Sequence, residues 1–105
     1  MPDRIIRERR KTDPMVDRLS DRAERLFWRL QVVADDYGCF DADPRVILGS
    51  CFPLKVGTWH PDEMAPLCAE LAHNGPNGEP GLITLYSVSG RAYGQMRTWK
   101  EDQRP

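Results

Sequence analysis

The stretch Leu82-Ile83-Thr84-Leu85-Tyr86-Ser87-Val88-Ser89-Gly90-Arg91-Ala92-Tyr93-Gly94-Gln95-Met96 decides the fold class. Its first seven residues are rich in β-branched and aromatic side chains, Ser89-Gly90 is a two-residue turn signal, and residues 91–96 can return as the paired strand. Pairing across that turn sets Val88 opposite Arg91 and Tyr86 opposite Tyr93, an aromatic cross-strand pair of the kind that stabilises hairpins. The other periodic segments of the chain read as helices, so the class is α+β, mainly α.

Working back from the hairpin, residues 74–81 hold three glycines and two prolines, which marks an irregular loop. Before the loop, Met64, Leu67, Cys68, Leu71 and Ala72 give a third helix its apolar stripe. That helix starts around His60-Pro61-Asp62-Glu63, where carboxylates suit a first turn whose N–H groups are unpaired, and it ends at Asn74-Gly75. Pro66 inside it predicts a kink, or a regular part that begins only there. A second, short helix follows the cap-then-proline signal Asp43-Pro44, with Val46, Ile47, Cys51 and Phe52 inward, and Phe52-Pro53 stops it.

The strongest helix follows Ser20, an N-cap, with Leu19, Ala23, Leu26, Phe27, Leu30, Val33 and Ala34 along one face. Its opposite face carries Asp21, Arg22, Arg25 and Arg29, and Gly38 predicts its end near Tyr37-Gly38. Cys39-Phe40 is long enough only for a β-bridge. Residues 1–19 form a basic arm ending in a short helical turn behind Asp13-Pro14, and residues 20–105 form the body of a single domain. The tail after the hairpin has one anchor, Trp99.

Composition narrows the function classes. The chain has 105 residues, of which 40% are apolar and 30% charged, a globular mixture. No apolar run approaches the ~18 residues of a spanning helix, and residues 1–7 lack a secretory signal, so the expectation is a cytoplasmic chain with no membrane contact. Cys39, Cys51 and Cys68 are odd in number and lack C-x-x-C spacing, which favours three reduced thiols over a disulfide framework.

The net charge of −1 is unevenly distributed. Residues 1–29 hold nine Lys/Arg and six Asp/Glu, residues 30–90 two and eight, and residues 91–105 four and two. Both ends are basic and the middle is acidic. A basic patch of the kind nucleic acids recruit can form only if folding brings the two ends together.

Three helices followed by one hairpin is the element order of a winged helix-turn-helix, with the hairpin as wing. The chain also carries, in order, Arg4-Ile5-Ile6, Leu26-Phe27-x-Arg29-Leu30, Asp35-Asp36-Tyr37-Gly38-x-Phe40-Asp41-Ala42-x-Pro44, Phe52-Pro53-Leu54, Gly81-Leu82-Ile83-x-Leu85-Tyr86 and Thr98-Trp99-x-x-x-Gln103-Arg104. As a set these segments resemble the amino-terminal winged-helix domain of phage and prophage replication-initiation proteins of the replisome-organizer, DnaD-like kind. The resemblance runs over nearly the whole chain. It implies binding of origin DNA at the start of phage DNA replication, with a carboxy-terminal region that recruits host helicase machinery, and that region is not in this sequence.

Electrostatics then assigns the contacts. The third helix, which would enter the major groove, carries Asp62, Glu63 and Glu70 and no Lys or Arg. Carboxylates repel phosphates, and most protein–DNA hydrogen bonds go to the backbone. The expected DNA-binding residues are therefore Arg4, Arg7, Arg9, Arg10 and Lys11 of the arm with Arg91, Arg97, Lys100 and Arg104 of the wing and tail, giving weakly specific, salt-sensitive binding to double-stranded DNA.

The competing reading is a winged-helix protein-contact or dimerisation module, with a homodimer or replisome and helicase-loading proteins as partners. An enzyme is not expected. The only material for one, a magnesium site among Asp35, Asp36, Asp41 and Asp43, includes two residues placed as helix caps. Neither a metal nor another cofactor is expected, since His60, Cys68 and His73 match no zinc spacing.

Overall fold

Three short polar side chains start the helices. The Asp13 carboxylate accepts from the Met15 N–H and opens α1 (Pro14–Asp17). Ser20 Oγ accepts from Ala23 N and opens α2 (Asp21–Val33), and Asp43 accepts from Arg45 N and opens α3 (Pro44–Cys51). Each satisfies an N–H that the first helical turn leaves unpaired. The computed structural model describes residues 6–103, so the arm residue Arg4 and the tail residue Arg104 lie outside the described residues.

A 3₁₀ turn, Pro61–Glu63, leads into α4 (Met64–His73). Pro66 causes no late start: it falls in the first turn of α4, where its missing N–H is one of the unpaired donors anyway. The chain then returns at once, with Gly81 N donating to Ala72 O and Leu82 N to Leu71 O. Gly81 is required there, because a Cβ would lie 2.2 Å from Leu71 O.

The hairpin has the register read from the sequence. Strands β2 (Ile83–Val88) and β3 (Arg91–Met96) pair Val88 with Arg91 and Tyr86 with Tyr93, whose rings stack 5.8 Å apart. Ser89 and Gly90 both take positive φ, 51° and 82°, as a two-residue hairpin turn of type I′ demands. A third strand, β1 (Cys39–Asp41), pairs antiparallel with β3, and the sheet order is β1-β3-β2. β1 is therefore longer than the bridge expected. Gly94 makes room for it, since Phe40 packs where a Cβ on Gly94 would stand.

One core joins the layers. Leu26, Phe27 and Leu30 of α2 meet Ile47 and Phe52 of the α3 region, Met64 and Leu71 of α4, and Ile83 of β2, all with almost no solvent contact. Val16 and Leu19 belong to the same core, so residues 6–19 pack with the body. The molecule is thus a small α+β domain with a three-stranded antiparallel sheet.

Three expectations need correction. α2 stops at Val33, not near Gly38, because Ala34 turns extended and the Asp35 side chain accepts from Tyr37 N and Cys39 N, offering the backbone a turn in place of another helical one. Gly38, at φ 81°, serves that turn and leaves space for the Trp99 ring. Val46 is 41% exposed, since the inward stripe of α3 runs through Ile47, Leu48 and Cys51. The tail forms a fifth helix, α5 (Trp99–Gln103), anchored by buried Trp99 and by Asp102. No helix of the described residues is long and apolar enough to cross a membrane.

Candidate functional site

The two basic ends meet, and Asp102 is what joins them. Arg7 Nε donates to the Asp102 carbonyl at 2.7 Å, Arg9 pairs with Asp102 Oδ1, and Arg10 reaches Asp102 Oδ2 at 2.8 Å and Asp13 Oδ2 at 2.7 Å. Arg10 also donates to Thr98 Oγ1. Only 6% of Arg10 is exposed. Burial works against its charge, but the hydrogen bonds and attraction of Asp102 and then Asp13 outweigh it and hold the guanidinium above its ordinary pKa.

Breaking a buried pair of this kind costs ~3–5 kcal/mol, which keeps Arg10 away from a phosphate. Arg9 differs. Its side chain is 57% exposed, and a pair that open to solvent is worth ~1 kcal/mol or less, so an incoming phosphate can compete for it. Lys11 is exposed beside Glu8 at 3.0 Å, and Lys100 is exposed on α5.

The two arginines at the ends of β3 are placed elsewhere. Arg91 opens β3 and Arg97 follows its last residue, so an extended strand holds them roughly 20 Å apart. Arg97 donates to the carbonyls of Pro80 at 3.2 Å and Gly81 at 3.0 Å and fixes the loop that enters β2. Arg91 pairs with Asp41 at 2.5 Å, a hydrogen bond that raises the arginine above its usual value. Its turn faces a cleft of about 580 Å³ shared with Asp43, Arg45, His60 and Asp62. The hairpin turn, the start of α3 and the 3₁₀ turn that leads into α4 therefore open onto one surface. Of the nine expected residues, Arg7, Arg9, Arg10 and Lys11 lie in one cluster with the helix that bears Lys100, Arg91 lies at the far end of the hairpin, and Arg97, though exposed, braces the loop before β2.

The carboxylates of the third helix have structural partners. Glu63 accepts from His60 N at 2.9 Å and pairs with Arg22 at 2.7 Å, and its pKa is lowered by the first of these contacts above all. Glu70 accepts from both Ser20 N and Ser20 Oγ, tying α4 to the start of α2. Asp62 alone of the three stays open to solvent.

Three of the four aspartates weighed as a magnesium site are engaged in turns as well. Asp35 caps the 35–39 turn, Asp41 accepts from Asp43 N, and Asp43 caps α3. Among the described residues no three His, Cys, Asp or Glu side chains are grouped as metal ligands. Burial pushes the Cys51 thiol up to about 11 and the Cys68 thiol up to about 12, which makes both poor nucleophiles.

The sequence reading missed a second cationic surface. On the outer face of α2, Arg22 stacks 4.2 Å over Trp59, Arg25 lies 5.1 Å over Trp59 and 5.7 Å over Phe52, and Arg29 sits 4.6 Å over Phe52. Lys55 Nζ lies 5.9 Å from the Trp59 ring centre. The signal was present as arginines three and four residues apart, but the rings beneath them come from a segment 23–37 residues further on. Comparison of the chain with protein families, with curated proteins and with solved structures gives no match.

Proposed function

We propose that this domain is a winged helix-turn-helix that binds double-stranded DNA through its sugar–phosphate backbone, as a module of a phage or prophage replication-initiation protein of the kind its sequence resembles. One observation carries the reading: the order α2, β1, α3, α4, β2, β3, with β1 paired to β3. A hairpin closed into a three-stranded sheet by a strand between α2 and α3 supports that reading, and the hairpin turn shares a cleft with the 3₁₀ turn that leads into α4.

The contacts fall to the cations that solvent reaches. Arg9, Lys11 and Lys100 hold one end and Arg91 the other, while Arg97, also exposed, is engaged with the carbonyls of Pro80 and Gly81. Arg91 and Arg97, the latter just ahead of the helix that bears Lys100, lie roughly 20 Å apart along the strand, less than one duplex turn of ~34 Å, so a single duplex laid along the hairpin can approach both ends. α4 offers no cation, and specificity is accordingly low.

The test is a fluorescence-anisotropy titration with a labelled duplex at increasing salt. About four phosphate contacts imply an affinity that falls roughly 100-fold between 50 and 200 mM salt. Absence of binding at ~50 mM, or affinity indifferent to salt, contradicts DNA binding and favours the protein-contact reading, to which the pairing of Arg9 and Arg10 with Asp102 lends support.

A further inference from the structure

The outer face of α2 and the 3₁₀ turn Pro53–Lys55 present cations and bare apolar side chains together. Leu54 is 94% exposed and Val56 55%, and they flank Lys55. Beside them stand Arg22, Arg25 and Arg29, held over Phe52 and Trp59. The ring contacts hold the guanidinium groups in advance; Arg22 gives one N–H to Glu63 and Arg29 one to the Cys51 carbonyl, and the remaining donors, with those of Arg25, can meet a carboxylate at a lower cost in side-chain entropy.

Charge and composition choose the occupant. Among the described residues only Glu63 forms an ion pair with this cluster, through Arg22, and Arg25 has none. The patch is therefore net cationic and calls for an acidic partner. DNA phosphates would meet the charge, but they gain nothing from covering a leucine this exposed. Arginine and aromatic residues around an aliphatic centre are what protein interfaces concentrate. We infer that this surface docks an acidic, amphipathic helical segment of another protein, its carboxylates on Arg22, Arg25 and Arg29 and its apolar stripe on Leu54 and Val56.

The inference stands apart from the DNA reading, because it uses none of Arg9, Lys11, Arg91 or Lys100. The probe is a synthetic 16-residue peptide with leucine at positions i, i+3, i+4 and i+7 of a helix and glutamate elsewhere, set against the same composition scrambled. Titration into ¹⁵N-labelled protein should move amide signals of residues 22–29 and 53–59. The double variant Arg25→Glu, Arg29→Glu should weaken binding at least ~10-fold, as loss of central arginines does at interfaces.

Leu54→Asp serves as the second variant, since a side chain open to solvent carries no part of the core, and it should weaken binding several-fold with an unchanged melting temperature. No binding of the patterned peptide, equal binding of the scrambled one, or equal binding by both variants overturns the proposal. So does loss of duplex-DNA affinity in the double variant with the terminal cations intact, because the patch would then be a nucleic-acid surface. Self-association of the free protein abolished by Leu54→Asp would overturn it too, in favour of a second copy of this chain.

Discussion

The knot around Asp102 and the ridge over Phe52 and Trp59 are both rich in arginine, yet they treat the charge in opposite ways. In the knot, carboxylates neutralise the guanidinium groups, and Arg10 disappears into the fold. In the ridge, aromatic rings support the guanidinium groups without cancelling their charge, and the side chains of Arg22, Arg25 and Arg29 stay at the surface. A count of arginines along the chain cannot separate these cases. What lies within ~4–6 Å decides whether a cation is mortar or a contact.

Stability measurements can break that contrast. The largest effect is expected for Asp102→Ala, which strands Arg10 with Asp13 as its remaining carboxylate and should cost ~3–5 kcal/mol in urea unfolding. A loss below ~1 kcal/mol would mean that the knot is a surface pair like any other. Phe52→Leu keeps the core filled and should cost ~1 kcal/mol. Because it also removes the platform under Arg25 and Arg29, it should weaken the acidic peptide, and undiminished peptide binding would show that the ring plays no part. Arg25→Ala should change stability by less than ~1 kcal/mol, as expected of an exposed cation–π contact. A loss as large as that of Asp102→Ala would erase the distinction between the two regions.

A further effect, confined to alkaline pH, comes from the thiols, one of which, Cys51, lies beneath the ridge, where its carbonyl accepts from Arg29. Cys51 is raised to about 11 and Cys68 to about 12 from a usual value of 9.0. The folded state thus favours the neutral thiols. Their contribution is fully present below pH 9.0 and is lost as pH climbs from there toward 11 and 12, because only the unfolded chain then ionises. Unfolding free energy followed between pH 8.5 and 10.5 should fall, and replacing both cysteines by alanine should flatten the decline relative to the unchanged protein.

Local chemistry made part of this legible. Ser89-Gly90 fixed the register of β2 on β3, and Ser20 and Asp43 marked where α2 and α3 begin, because turns and caps act over two or three residues. The end of α2 was misread because glycine signals a stop but says nothing of a competing turn upstream, which Asp35 supplies. α5 gives no local signal, since its hold on the body comes from Asp102 bonded to Arg10, 92 residues away, and from Trp99 donating to Asp36 O. The candidate site was legible as charge and illegible as geometry. That the ends meet could be framed from the sequence, but the burial of Arg10 and the bracing role of Arg97 depend on partners distant along the chain.

The most direct measurement compares duplex-DNA affinity at ~50 mM salt for two variants side by side, one with Arg9, Lys11, Arg91 and Lys100 changed to alanine and one with Arg25 and Arg29 changed to glutamate. DNA binding through the termini and wing predicts at least a ~10-fold loss in the first and little change in the second. An unaltered affinity in the first variant, with the second impaired, would contradict it.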